Sequence, residues 1–270
     1  MKTLRDLWSA YRYGQNIKVV YHIAGLHPDA RKPAKTRAQA SSEIDASTRF
    51  EQSISRTRAT IFELAMCNDF EWFVTLTLDG EKRDRNDLQA FRRDFAQFVR
   101  DQNKKRSQEQ KIEYLLIPEQ HKNGAWHMHG LFKGLREGAD LVRNEHRYLD
   151  WPGYRKRFGF FSCDRIRSQE ACSKYITKYV TKDIDQSTAL DSGAHAYYAS
   201  QGLKRREALV TLCADRCPIA ELPRGNGKYG QWDFENEYVK ICWLRPASDG
   251  LIQFPDENGE LTFFRLTNGG

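Results

Sequence analysis

An Asn-Gly dipeptide between two apolar segments is the feature that most narrowly limits what this chain can fold into. Residues 112–117 (IEYLLI) and 126–132 (WHMHGLF) are rich in leucine, β-branched and aromatic side chains, which is typical of strands. Asn123-Gly124 lies between them, and this dipeptide is favoured in tight hairpin turns because both positions can adopt positive φ angles. The two segments are therefore predicted to pair as antiparallel strands.

The second of these strands contains two histidines separated by one residue. Alternate side chains of a strand project from the same face, so His127 and His129 are expected to point together. Two neighbouring imidazoles can bind one metal ion. The alternative is a pair of histidines packed within an ordinary strand.

Glu119 is the predicted third ligand of this metal site. It ends the first strand, and the turn would fold it back beside the histidines. Its oxygens suit Mg²⁺ or Mn²⁺, the divalent ions predicted here. The alternatives are that Glu119 is an exposed turn carboxylate or that His121 takes its place, although His121 lies in the turn and is expected to face solvent.

The remaining hydrophobic patterns predict an α+β fold. Further strands are predicted at residues 17–23, 72–78, 158–163, 237–244 and 261–266, and helices at residues 4–13, 48–69, 169–183 and from Leu88, after a cap at Asn86 or Asp87. The fold class is a central antiparallel sheet of about five strands with flanking helices and a small C-terminal β appendage. The predicted divisions are an N-terminal extension with a basic connector (1–48), a main domain (49–215) and a C-terminal linker with the appendage (216–270).

The predicted helix over residues 169–183 contains two tyrosines four residues apart. At about 100° per residue, Tyr175 and Tyr179 lie on one face, with Lys178 and Lys182 beside them. The ordinary interpretation is an amphipathic helix with packed tyrosines and solvated lysines. The chemical one is phosphodiester cleavage: a phenol, with a pKa of about 10, needs a nearby cation or base to become a nucleophile. A metal ion can also reduce the charge of the phosphate under attack.

The charge balance favours a polyanionic partner. The net charge is +7 over 270 residues, and much of the excess lies in short clusters. Two of these clusters are predicted to contact DNA: Arg155, Lys156 and Arg157, and Lys204, Arg205 and Arg206. No apolar segment approaches the roughly 20 residues of a membrane span, so no membrane partner is predicted. Six scattered cysteines are expected to be free thiols in a reducing cytoplasm.

Three motifs in this order resemble those of the HUH endonuclease superfamily, the rolling-circle replication initiators of plasmids and single-stranded DNA phages. They are Phe73–Thr77, His127-Met128-His129, and a tyrosine motif at 175–182 (YITKYVTK) of the two-tyrosine branch. The resemblance implies a sheet related to the RNA-recognition-motif and ferredoxin-like arrangement. It also implies that Tyr175 or Tyr179 is the nicking nucleophile, with assistance from Lys178 or Lys182, and that the Thr75 and Thr77 strand lies at the DNA.

The function predicted from this resemblance is metal-dependent nicking of single-stranded origin DNA, at a hairpin or nick site. The products would be a 5′-phosphotyrosine and a free 3′-hydroxyl, and the strand would be rejoined after rolling-circle replication. The chain lacks the G-x-x-x-x-G-K-[ST] motif of ATPases, so a host helicase and polymerase are predicted partners in a bacterial cytoplasm. The alternatives are a non-catalytic RNA-recognition-like binder, or a related relaxase or single-strand transposase. A relaxase is disfavoured because its tyrosine generally precedes the histidines.

Overall fold

The computed structural model describes residues 7–22, 46–180, 195–213, 234–235, 239–244, 252–255 and 261–264. These residues belong to two compact units, one made of Met1–Asp45 with Arg205–Gly270 and one made of Ala46–Lys204. The predicted basic connector and Lys182 lie outside the described residues. Of the helices that are described, none is both long and apolar enough to cross a membrane.

The described chain contains the following elements. The helices are α1 (Ala46–Cys67), α2 (Leu88–Asn103), α3 (Pro152–Arg157) and α4 (Gln169–Ile176). The strands are β1 (Leu7–Tyr13), β2 (Asn16–His22), β3 (Trp72–Leu78), β4 (Glu113–Gln120), β5 (Trp126–Lys133), β6 (Val142–Arg143), β7 (Leu149–Asp150), β8 (Gly159–Arg165), β9 (Tyr198–Ala199), β10 (Glu207–Cys213), β11 (Phe234–Glu235), β12 (Val239–Leu244), β13 (Ile252–Pro255) and β14 (Leu261–Phe264).

The unit Ala46–Lys204 is built on a five-stranded antiparallel sheet with the order β8-β3-β5-β4-β9. Helices flank this sheet, so the predicted α+β class is confirmed. β4 continues to Gln120, three residues beyond the predicted strand, even though Pro118 cannot donate a backbone hydrogen bond. The proline is tolerated because β9 pairs only with Leu115 and Leu116, which leaves the outer side of β4 open at Pro118.

The β4–β5 hairpin forms as predicted and sets the register of the central strands. Gly124 has a φ of 85°, and Asn123 Oδ1 accepts a hydrogen bond from Ala125 N at 3.1 Å. In the resulting register Glu119 lies directly opposite His127. The turn therefore returns Glu119 to the histidine pair.

One face of the sheet is closed by α2. The helix begins at Leu88, as predicted, because Asp87 Oδ1 accepts a hydrogen bond from Ala90 N at 2.8 Å and caps its first turn. Phe91, Phe95 and Phe98 are buried against the sheet. With the residues of β3 and β5 that face them, they form the larger apolar core.

The opposite face of the sheet, which carries the histidines, packs against α1 and α4. Ile61 and Leu64 of α1 join Ile176 of α4 over Ile117 and Leu131 of the sheet. These five side chains are almost fully buried. The apolar part of this face is thus closed, and the polar side chains lie at its edge.

The other unit contains a five-stranded sheet with the order β10-β1-β2-β12-β11. Strands from the two ends of the chain pair directly here, since β2 is antiparallel to both β1 and β12. The predicted strands at 17–23, 237–244 and 261–266 are confirmed as β2, β12 and β14. The predicted helix at 4–13 is wrong, because residues 7–13 form β1, whose partners β2 and β10 override the local helical pattern.

Candidate functional site

The three central strands place the predicted metal ligands on one face of the sheet. Thr77 of β3 lies opposite His127 of β5, and Glu119 of β4 lies on the other side of that histidine. Thr75 lies opposite His129 in the next row. Residues directly opposite each other in a sheet share a face. The strand alternation inferred from the sequence therefore gives the arrangement found.

Each histidine is held through its Nδ1 atom by a threonine hydroxyl. Thr77 Oγ1 lies 3.0 Å from His127 Nδ1, and Thr75 Oγ1 lies 3.2 Å from His129 Nδ1. A contact at Nδ1 fixes the ring and leaves Nε2 for a ligand. The two threonines, predicted to contact DNA, therefore contact the histidines in this structure.

The Nε2 atom of His129 meets Glu119. The distance to Glu119 Oε2 is 2.7 Å, and the His129 side chain is only 12% exposed. Burial lowers the pKa of His129 against the opposing influence of Glu119. Burial, followed by the nearby imidazoles of His121 and His129, lowers the pKa of His127. Both rings therefore favour the neutral form, the form that can accept a proton or bind a metal.

His121 is exposed to solvent, as predicted, but it also contacts the site. Its ring stacks on that of His127, with centroids 3.9 Å apart and planes 9° from parallel. It is placed there by the turn, in which His121 N donates to Ala125 O at 2.9 Å. Sequence reasoning missed this contact, although the position of His121 just before Asn123-Gly124 was its available signal.

The two tyrosines lie against the histidine pair. The Tyr179 ring stacks on the His129 ring at a centroid distance of 3.9 Å. The two phenol oxygens of Tyr175 and Tyr179 are 2.9 Å apart and share a hydrogen bond. Phe73 of β3 contacts both tyrosine rings, at 5.4 Å and 6.2 Å. The helix and the histidine strand, separate in sequence, thus form one site.

The two phenols differ in their surroundings. Tyr175 is 45% exposed, and Lys178 Nζ lies 5.3 Å from its ring centroid. Burial and, after it, the hydrogen bond from Tyr175 raise the pKa of Tyr179 well above its ordinary value. Tyr175 is therefore the phenol open to an incoming strand, and Tyr179 is the one nearer the histidines.

The tyrosine segment is shorter as a regular helix than predicted. α4 begins at its Ser168 cap and ends at Ile176, and Thr177–Tyr179 form one 3-10 turn. The carbonyl of Val180 accepts hydrogen bonds from Arg58 of α1, at 2.7 Å from Nη2 and 3.2 Å from Nε. This anchor helps to place Tyr179. The predicted helix to residue 183 is therefore wrong from residue 177 onward to 180, the last described residue of this segment.

The metal site itself is only partly assembled. His127, His129 and Glu119 share a face, but contact within the set is between Glu119 and His129. Within residues 7–22, 46–180 and the later described segments, no group of three or more His, Cys, Asp or Glu side chains is arranged to hold a metal ion. The donor set, two neutral imidazoles and a carboxylate, nevertheless has the chemistry that a divalent cation accepts.

The first basic cluster predicted to contact DNA lies on the short helix α3. Arg155 forms an ion pair with Asp150, and its guanidinium lies 5.8 Å from the Phe160 ring centroid. Arg157 lies 5.6 Å from the Phe158 ring centroid. Lys156 is exposed. Two of these three cations thus also stabilise the packing around them.

The second cluster is divided between the two units. The Lys204 backbone exchanges hydrogen bonds with the Asn68 side chain, both at 3.0 Å. Arg206 donates to the Tyr13 hydroxyl at 3.1 Å and lies 4.4 Å from the Tyr11 ring centroid. Lys204 ends one unit, and Arg205 and Arg206 begin the second segment of the other.

Phe160 is an aromatic residue of this face that sequence reasoning missed. It lies on β8 opposite Thr77, so the row across the sheet reads Phe160, Thr77, His127 and Glu119. Its side chain is 58% exposed, whereas Phe158 and Phe161 are buried. The sequence FGFF did contain a signal, since adjacent strand residues face opposite sides and Phe160 and Phe161 cannot both be in the core.

Comparison with known proteins gives one match. Residues 71–184 match the ORF2-type family model of replication-associated proteins, over less than half of the 270-residue chain. The matched region includes β3, the histidine strand and the tyrosine segment. Searches of curated proteins and of solved structures found no match. The family match supports a replication initiator of the Rep type, and with it a role in DNA replication and DNA binding.

Proposed function

We propose that this chain is a replication initiator that nicks single-stranded origin DNA by tyrosine attack and later rejoins the strand. The observation that carries the proposal is the stacking of Tyr179 on His129 while its hydroxyl is bonded to that of Tyr175. A pair of phenols in contact with imidazoles and a carboxylate provides a nucleophile and groups that accept protons.

In the proposed reaction, one tyrosine oxygen attacks the phosphorus of a DNA phosphodiester. A bond forms between this oxygen and phosphorus, and the bond between phosphorus and the 3′ oxygen breaks. The phenol proton passes to the other phenol, 2.9 Å away, and on to solvent. The leaving 3′ oxygen takes up a proton and becomes a 3′-hydroxyl. The 5′-phosphotyrosine remains a phosphodiester, so a later attack by a 3′-hydroxyl rejoins DNA and releases the tyrosine.

Lys178 is proposed to assist at the attacking phenol. Its ammonium group lies over the Tyr175 ring, where it favours the phenolate and attracts the phosphate. Lys182 is proposed for the same role on sequence grounds, since it follows Tyr179 by three residues as Lys178 follows Tyr175. The second tyrosine would accept the strand in the second transfer.

His127, His129 and Glu119 are proposed to hold a divalent cation, Mg²⁺ or Mn²⁺. When bound, such an ion would supply positive charge that polarises a phosphate oxygen and favours the phenolate nearby. The protein's own part is to keep both imidazoles neutral and fixed by Thr75 and Thr77. Glu119 supplies the oxygen ligand that hard cations require.

The substrate strand is proposed to lie along the row of side chains that ends at Phe160. An exposed ring can stack on an unpaired base, and Arg155 beside it can contact a phosphate. The remaining cations of the two clusters are proposed to hold the DNA backbone. Unwinding and synthesis would come from a host helicase and polymerase.

The test is formation of a covalent adduct between the full chain and labelled single-stranded origin DNA, with Mn²⁺ or Mg²⁺ present. We expect an adduct from the native chain, loss of it in the Tyr175→Phe/Tyr179→Phe double variant, and retention in Tyr148→Phe. Tyr148 is a matched control because it is 73% exposed and lies outside the site. Adduct formation by the double variant, or binding of DNA without any adduct, would replace this proposal with non-catalytic binding.

A further inference from the structure

A groove on the far side of the sheet from the tyrosines contains an uncompensated group of cations. The groove has a volume of about 860 Å³ and lies between α2 and the β4–β9 edge of the sheet. We call it the basic groove and define it by Arg92, Arg100, Lys111, Tyr114 and Tyr198. It stays open because β9 pairs with only two residues of β4.

The three cations of the basic groove are held in place by neutral partners. Arg100 Nη2 donates to Gln97 Oε1 at 2.7 Å, and Lys111 Nζ donates to Gln108 Oε1 at 2.6 Å. Arg92 lies 5.1 Å from the Tyr198 ring centroid. An amide oxygen or a ring orients a cation without cancelling its charge. These contacts therefore fix the positions of three charges and leave the charges in place.

The acidic residues nearby are already paired. Among the described residues that line the groove, the single carboxylate is Glu113, and it forms an ion pair with Lys133 at 2.8 Å. Lys104, a fourth cation of the lining, is paired with Asp101 at 2.8 Å. No ion pair is found for Arg92, Arg100 or Lys111 within the described part of the chain. Three like charges around one concave surface favour an anionic ligand.

The interior of the basic groove is apolar. Val99 and Ile112 are buried in its wall, and Tyr114 is half-buried there. Burial raises the pKa of the Tyr114 phenol, while Arg100 and Arg92 oppose the rise, so both guanidinium groups act on the space around this ring. A ligand that fits has phosphate charge outside and a flat apolar part inside. Single-stranded DNA has both, whereas a duplex keeps its bases stacked within the helix.

We propose that the basic groove is a second binding site for single-stranded DNA, separate from the tyrosine site. The inference rests on the proposed function, because it assumes that the substrate strand is single-stranded origin DNA. The cations are on the α2 side of the sheet, and the tyrosines are on the α1 and α4 side. A strand that occupies both sites passes over the β4–β9 edge, so only a long strand reaches both.

The test compares DNA affinity in two triple variants of the full chain. The groove variant is Arg92→Gln/Arg100→Gln/Lys111→Gln. The control is Arg93→Gln/Arg136→Gln/Arg143→Gln, which removes the same charge from exposed arginines that already have carboxylate partners within 3.4 Å. Fluorescence anisotropy would be measured over a range of NaCl concentrations, with single-stranded oligonucleotides of about 8 and about 30 nucleotides and with a duplex.

The groove variant is expected to bind the long strand with a salt dependence reduced by about 2 in the log–log slope, from about 0.7 for each of three lost phosphate contacts. At about 0.1 M salt this corresponds to roughly a hundredfold weaker binding relative to 1 M. The short strand and the control variant should show no such change. Equal losses in the two triple variants, or a loss confined to duplex DNA, would overturn the proposal.

The outcome can be separated from that of the proposed function. The groove variant retains Tyr175, Tyr179 and the histidines, so adduct formation on the short strand should persist at the native level. If the native chain forms no adduct but the groove variant still loses long-strand affinity, nicking fails and the groove stands. A single Arg100→Gln variant, expected to lower the slope by about 0.7, guards against misfolding of the triple variant.

Discussion

The hydroxyl of Thr77 offers the sharpest test of how the histidine pair is held. Thr77 Oγ1 lies 3.0 Å from His127 Nδ1 in a partly buried contact. Thr77→Val removes this hydroxyl while keeping the branched shape that suits a strand. We expect the His127 ring to lose its fixed orientation, with weaker metal binding and slower nicking as the results.

The magnitude follows from the contact that is lost. One hydrogen bond of this kind contributes about 1 kcal/mol net, so the free energy of unfolding should fall by about that amount or less. Loss of a residue that orients a metal-binding histidine typically weakens metal affinity or activity by about 10- to 100-fold. The variant should thus be nearly as stable as the native chain but at least about tenfold weaker in Mn²⁺ affinity.

The assay is calorimetric titration with Mn²⁺, together with the rate of adduct formation as a function of Mn²⁺ concentration. Thr77→Ser, which keeps a hydroxyl, should recover most of the affinity. Thr60→Val is the matched control, since Thr60 Oγ1 donates to the Arg56 carbonyl within α1 and not to a histidine. Native Mn²⁺ affinity and native nicking rate in Thr77→Val would refute the reasoning.

Three further predictions follow from the fold. Phe160→Ala should weaken single-stranded DNA binding by about 1–3 kcal/mol in an anisotropy assay, with little change in stability because the ring is 58% exposed; unchanged affinity would exclude stacking there. Gly130→Ala should lower the free energy of unfolding by about 1–3 kcal/mol in a denaturant titration, because the new Cβ would lie 2.5 Å from Leu116 Cδ2; a native midpoint would show that the sheet yields at no cost. Burial raises the pKa of Cys163 to about 12 and that of Cys172 to about 11, so both thiols should stay protonated at about pH 8. Mass spectrometry should then find them alkylated far more slowly in the folded chain than in urea, and equal rates would contradict this.

Local sequence patterns were sufficient for much of the unit that carries the site. The start of α2 follows from the Asp87 cap and the spacing of Leu88, Phe91 and Phe95. The position of Glu119 follows from a short turn that contains the favoured Asn-Gly dipeptide. Both features depend on residues close together in the chain, which is why a pattern is able to reveal them.

Features that depend on distant pairing could not be predicted in this way. The local pattern of β1 favours a helix, and its partner β10 lies about two hundred residues away, so nothing nearby in the chain identifies the strand. The contacts of Thr75 and Thr77 with the histidines require the β3–β5 register, which no turn connects. The end of α4 at Ile176 depends on tertiary contacts such as that between Arg58 and Val180.

The alternation of β5 has a consequence for how this hairpin tolerates insertions and deletions. Met128 is fully buried on the α2 side, while His127 and His129 project from the opposite face. Because the side-chain period is two, a shift of one residue in register would move both histidines into the aromatic core and Met128 to the surface. A change of one residue in the length of the turn around Asn123-Gly124 would therefore disrupt core and site together, whereas a substitution there would alter only the geometry of the turn.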